Sequence, residues 1–186
     1  MVRVIAILMM AGLALNTQAL GRNGVFTQLS GETGTYQIRG EEKTTPAQGI
    51  DARLGSHSTA WRDFYRYVGV GVAVYNLDSP NDFELDDEHF NSHQANTYSN
   101  LFAFGGIALN TPASPFVEVG IHGVEWLNGN YVDEGRTGQN GFFKAGVDIK
   151  SQSGGWLQIF YKVSTTQDVG PIRKMVTTGV TGGWAF

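Results

Sequence analysis

Tyr65-Arg66-Tyr67-Val68-Gly69-Val70-Gly71-Val72-Ala73-Val74-Tyr75-Asn76 decides the fold. Val68, Val70, Val72 and Val74 share one parity, and Tyr67, Gly69, Gly71, Ala73 and Tyr75 share the other. A period of two means a β-strand with two different faces. A sandwich strand in water turns its bulky apolar row inward and a polar row outward. Here the second row is glycine, alanine and tyrosine, a poor surface for water. Both rows make sense if the valines face lipid. The small residues then line a narrow lumen, and the tyrosines stand near the strand ends as an aromatic belt. The competing reading is a buried strand of a soluble β-protein, and the remaining chain decides between them.

Met1–Ala19 reads as a cleaved signal peptide. Arg3 supplies the positive n-region, Val4–Leu15 the apolar h-region, and Thr17-Gln18-Ala19 a small-x-small cleavage site. The apolar run is too short to span a bilayer as a helix, and no other long apolar run follows. Residues 20–186 are then one domain. The chain has no cysteine, which excludes disulfides and thiolate metal sites. The net charge of −4, without a basic stripe, argues against nucleic acid. An exported, glycine-rich, aromatic β-protein suits the bacterial outer membrane.

Eight alternating segments follow. Gly24–Gly40 is the first. Its two halves alternate on opposite parities around Gly31 and Gly34, which predicts a bulge there or a separate hairpin. The others are Gly49–Ser58, Tyr65–Asn76, Tyr98–Asn110, Phe116–Leu127, Gly141–Lys150, Trp156–Thr166 and Met175–Phe186. Pro46 falls in the first connection, and Pro112 and Pro115 in a tight turn. Connections after odd-numbered strands are long and polar, and those after even-numbered strands are short. This is the rhythm of an up-and-down membrane barrel, with both termini on the periplasmic side. The expected fold is all-β, an eight-stranded antiparallel up-and-down transmembrane β-barrel.

Asp51, Arg53, Glu118, His122, Lys144, Asp148, Gln158 and Lys162 all stand opposite an apolar row inside strands. A membrane barrel must turn such residues inward, where acid and base compensate. The expectation is a salt-bridge network plugging the lumen, with members of consecutive strands in reach of one another. An ion path is the alternative. Trp61, Trp126, Trp156 and Trp184 lie near strand ends and read as belt anchors.

These features resemble the small bacterial outer-membrane β-barrels, the class of the OmpA transmembrane domain and the OmpX/Ail group. The resemblance covers residues 21–186 and rests on the signal peptide, the eight segments, the loop rhythm and the terminal strand. It implies recognition by the outer-membrane assembly machinery through Trp184 and Phe186. The glycine usual five residues before the end is Thr181 here, with glycines at 179 and 182. No peptidoglycan-binding domain is expected after the barrel.

The long connection 77–97 carries the remaining candidates. Asp78, Ser79, His89 and His93 are the parts of an acyl-transfer site, as in lipid A-modifying enzymes at the rim of small barrels. Pro80 directly after Ser79 reads equally as turn chemistry. Asp82, Glu84, Asp86, Asp87 and Glu88 are oxygen donors suited to weak Ca²⁺ or Mg²⁺ binding, though not at EF-hand spacing. The leading expectation is a monomeric, cofactor-free, non-enzymatic protein whose external loops meet outer-membrane lipids, lipopolysaccharide or a partner surface. A lipid A-modifying enzyme and a narrow porin-like channel are the alternatives.

Overall fold

A computed structural model describes residues 24–38, 44–61, 63–78, 83–85, 88–90, 96–127, 130–131, 140–151, 155–165 and 172–186. Met1–Ala19, the proposed signal peptide, lies outside these residues. Eight long strands form the wall: β1 Gly24–Ile38, β2 Thr44–Trp61, β3 Phe64–Leu77, β4 Asn96–Leu109, β5 Ala113–Leu127, β6 Gly141–Lys150, β7 Gly155–Thr165 and β8 Ile172–Ala185. Each pairs antiparallel with its neighbours in sequence, and β8 closes on β1. The result is a closed, eight-stranded, up-and-down barrel. A short hairpin, Phe83–Leu85 with Glu88–Phe90, stands in the connection between β3 and β4.

Register fixes the geometry of the wall. From Ile107 the partners run through Val117, Ala145, Tyr161, Thr178, Thr33, Gln48 and Asn76. They return to β4 at Thr97, ten residues from the start. A stagger of this size requires strongly tilted strands, and eight tilted strands enclose a space only as wide as side chains.

The outward row is apolar and open. Val68, Val70, Val72, Val74, Val117, Val119 and Ile121 are all exposed, Ile121 at 67%. Polar side chains on this face stand towards the two ends, Thr35, Gln48, Asn76, Thr97, Thr165 and Lys174 at the long-loop end and Thr27, Ser56 and Arg66 at the other. An apolar belt that ends in a polar collar is the surface of a barrel that spans a bilayer. Inside, small residues oppose large ones. A Cβ on Gly71 would stand 2.4 Å from the Phe102 ring, and one on Gly120 2.2 Å from the Phe142 ring. Each of these glycines is the space that a neighbouring strand's aromatic fills.

Three sequence expectations need correction, and a fourth feature is one the sequence reading did not anticipate. First, β1 runs without a break, and its register with both β2 and β8 is continuous through Gly31–Gly34. Neither a bulge nor a hairpin forms there. The parity never changes: Phe26, Gln28, Ser30, Glu32 and Tyr36 all face in, and Thr33 and Thr35 mark the end of the apolar belt. Second, Pro46 and Pro115 lie inside strands, at Thr35↔Pro46 and Pro115↔Val147. The carbonyl of Pro46 accepts the Asp78 amide at 3.2 Å, a bond that needs no proline N–H. Third, Tyr65, Tyr67 and Tyr75 are buried in the lumen, not placed in a belt, and Trp156 is buried too. Fourth, β5 carries a bulge. Asn100 pairs with Glu125 but Phe102 pairs with His122, so Gly123 and Val124 together oppose one residue of β4.

Candidate functional site: the barrel interior

The interior holds a layer of ionised side chains at mid-depth. Asp51 and Arg53, two apart on β2, both point inward. The Arg53 guanidinium donates Nε and Nη2 to the two Asp51 oxygens at 2.9 Å each. Its Nη1 donates to Glu118 Oε1 at 2.5 Å. Glu118 lies on β5, across the lumen from β2, so this pair spans the barrel. The Phe102 and Phe104 rings flank the guanidinium at 5.2 and 5.0 Å, within cation–π range.

Lys162 on β7 makes the second crossing. Its Nζ donates to Glu32 Oε1 at 3.0 Å and to the Tyr75 hydroxyl at 2.8 Å, and lies 3.8 Å from Asp51 Oδ2. Tyr75 and Thr177 hydroxyls donate to the other Glu32 oxygen at 2.9 and 2.8 Å. Lys144 is fully buried. It donates to Gln158 Oε1 at 3.1 Å and Thr181 Oγ1 at 3.3 Å, with its Nζ 4.0 Å from the Phe160 ring centre. Asp148 accepts a short hydrogen bond from Tyr65.

Asp51, Arg53, Glu118, His122, Lys144, Asp148 and Lys162, for which the sequence assigned no particular pairs, all stand on the inward side of the wall. Glu118 and Lys144 are register partners, yet Glu118 reaches Arg53 across the barrel. Charges of neighbouring strands stand side by side along the wall. Opposite strands point at one another, and the lumen is narrow enough for long side chains to meet.

At the long-loop end a separate cluster forms around Glu125. Its oxygens accept from Tyr98 Oη at 2.6 Å and Asn140 Nδ2 at 3.1 Å, with His122 Nδ1 at 3.0 Å. The bulge at Gly123-Val124 throws Glu125 inward beside His122 on the same strand. At the other end, Lys150 Nζ donates to the Leu109 carbonyl at 2.6 Å and to Ser114 Oγ at 3.2 Å, and lies 3.8 Å from the Tyr65 ring centre. Phe26 packs on Trp156 beside it, ring centres 5.1 Å apart.

Sequence reasoning missed Glu32, Tyr75 and Glu125. Glu32 was hidden by the supposed break in β1, although an unbroken parity from Val25 to Gln37 would have placed it inside. Glu125 sits on the outward parity of its strand until the bulge at Gly123 reverses it.

The loop candidates come out differently. Ser79, His93, Asp82, Asp86 and Asp87 lie outside the described residues. Asp78 closes the end of β3, where its carbonyl accepts the Tyr36 hydroxyl at 2.6 Å. Glu84 and His89 are register partners on the short hairpin, with Glu88 beside them. Among the described residues, no three His, Asp or Glu side chains converge as a metal site.

No protein-family model matches the chain, and no curated protein does. Solved structures do resemble it. The crystal structure of Neisserial surface protein A superposes with a TM-score of 0.63 at 11% identity, covering 88% of this chain and 97% of that one. Ail, the attachment invasion locus protein of Yersinia pestis, matches with a TM-score of 0.44 at 15% identity, over 88% of this chain and 99% of that one. An outer membrane channel from Pseudomonas putida F1 matches with a TM-score of 0.39 at 10% identity, over 91% and 98%. The closed eight-strand register, the apolar belt and the superposition on Neisserial surface protein A agree: this chain has the fold of the small bacterial outer-membrane β-barrels.

Proposed function

We propose that the protein is a monomeric integral outer-membrane protein with a closed lumen, which acts as a structural and surface-interaction protein through its long-loop end. The observation that carries this reading is the pair of crossings, Arg53–Glu118 and Lys162–Tyr75, with Phe102, Phe104 and Phe142 packed against the cations. They stand at mid-depth in an eight-stranded barrel, whose interior is about as wide as the side chains that fill it, and this supports a closed lumen. A protein that transports nothing through its lumen acts through what it presents outside. Connections 78–95 and 128–140 are the longest, and both open at the same end. Lipid headgroups, lipopolysaccharide and a partner surface are the molecules this end would meet. The N-terminal signal and the Trp184-x-Phe186 terminus fit export and outer-membrane assembly.

Planar-bilayer recording tests this. Wild-type protein should show no sustained single-channel conductance, and a variant with both crossings removed, Arg53→Ala with Lys162→Ala, should leak. Large, stable wild-type openings would replace this reading with the channel. Lipid A profiled by mass spectrometry from cells carrying Ser79→Ala with His93→Ala should match wild type. A lost modification would instead establish the enzyme.

A further inference from the structure

Charge on the barrel wall is sorted by face. The carboxylates of the eight wall strands, Glu32, Asp51, Glu118, Glu125 and Asp148, are all buried in the lumen. The charged side chains that these strands expose are all basic: Arg66, Arg173 and Lys174. Arg66 stands alone on β3, with its Nε donating to Ser58 Oγ at 3.0 Å. Arg173 and Lys174 stand together on β8, at the long-loop end.

A bulge puts these two cations on one face. Lys174 pairs with Gln37 but Ile172 pairs with Ile38, so Arg173 is an extra residue in β8. Strict alternation over Ile172–Met175 would turn one of the two cations into the lumen. Instead Ile172 and Met175 are each 3% exposed, and both Arg173 and Lys174 between them are open. Adjacent cations on one face repel, and an anion held between them reverses the sign. Phosphate suits both groups: a guanidinium meets it with two parallel N–H donors, an ammonium as a point charge. Position selects its source. Lys174 lies beside Thr165 on β7 and Gln37 on β1, in the polar collar. One outward step below, Val176 pairs with Val163, where the apolar belt begins. Lipid headgroups meet a membrane-spanning barrel at this border.

We propose that Arg173 and Lys174 form a clamp for the phosphate of a lipid headgroup in the outer leaflet. The bulge presents the two cations together, and the acyl chains of the same lipid lie along the apolar row below. The inference rests on the proposed reading for which end of the barrel is outermost. It does not depend on a closed lumen, so conductance and lipid retention can fail separately.

The test is lipid retention by the folded barrel in detergent, read by native mass spectrometry. The probe is phosphatidic acid, whose headgroup is a bare phosphate, compared with diacylglycerol of the same acyl chains. Wild type should retain the first and release the second. Arg173→Gln and Lys174→Gln should each weaken retention about fivefold, and the double variant about 25-fold. Arg66→Gln removes the same charge elsewhere on the wall and should change nothing. Inorganic phosphate at the concentration of the probe should not displace the lipid. Gel mobility before and after heating shows that each variant is folded when it is scored. Equal retention of the two lipids by wild type, which needs no variant, overturns the proposal. So does undiminished retention by the folded double variant. An equal loss in Arg66→Gln would mark net charge alone, and displacement by inorganic phosphate would make the free anion the ligand, and either result overturns it too.

Discussion

At the scale of single residues, the interior depends on completeness more than on the strength of any one pair. Arg53 is wholly buried, and its Nε, Nη1 and Nη2 each donate to a carboxylate. Removing one partner of such a set leaves a charge in a low-dielectric space, which costs far more than the pair gains. Asp51→Asn takes away the bidentate partner of Arg53 and the second carboxylate near Lys162. It should destabilise the folded barrel by about 3–5 kcal/mol, measured by urea titration in detergent or lipid. Adding Arg53→Met together with Glu118→Gln, which leaves no member of the set charged, should recover part of that loss, and no recovery would show that Asp51 acts by shape and not by charge. Which residues face the lumen was legible in sequence for Asp51, Arg53, Glu118, Lys144, Asp148 and Lys162, because each sits opposite an apolar row. Who binds whom was not. Partners such as Arg53 and Glu118 lie on strands far apart in sequence, and only the closure of the barrel sets their distance.

Elements explain the misreadings. Strand alternation is a reliable signal while one row stays apolar, as in β3. It fails where a strand leaves the belt. In β1 the outward row changes from Val25 and Leu29 to Thr33 and Thr35, so the inward Tyr36 looks like the apolar row of a new strand. In β5 the signal fails because the parity does reverse. Gly123 was the visible clue, since a glycine inside a strand often marks a bulge. Deleting Val124 removes the extra residue but keeps Glu125 inward, two positions after His122 and still opposite Asn100. The prediction is a barrel that assembles and unfolds near the wild-type temperature, because Glu125 keeps Tyr98 and His122 as partners. A large fall in unfolding temperature would show that the bulge itself, and not the inward Glu125 alone, stabilises this end of the barrel. On β3, Val72→Arg places a cation within the apolar belt and should cost about 2–4 kcal/mol, read from the folded fraction after refolding into lipid vesicles. An unaffected folded fraction would place this row out of contact with lipid.

At the scale of the whole molecule, two surfaces are exchanged relative to a protein folded in water. The apolar row faces out, and charged residues face a packed centre. The barrel tolerates this because lipid removes the penalty outside, while cross-lumen pairs and aromatic rings compensate charge inside. The loops lay beyond what strand periodicity could reach, and sequence offered Ser79, His93 and the acids at 82–88 only as types of residue without geometry.

The absence of native cysteine makes one measurement decisive for both surfaces together. Single cysteines at Val68, Val70, Val72 and Val74 would be compared with single cysteines at the inward, buried Ala73 and Ala108, all in protein folded into lipid vesicles. Each would be treated with a membrane-soluble and with a charged, water-soluble thiol reagent. The account predicts that the four valine positions react only with the membrane-soluble reagent, and that positions 73 and 108 react with neither until the barrel is unfolded. Reaction of the valine positions with the charged reagent would contradict a lipid-facing row, and reaction of 73 or 108 with it would contradict a filled lumen.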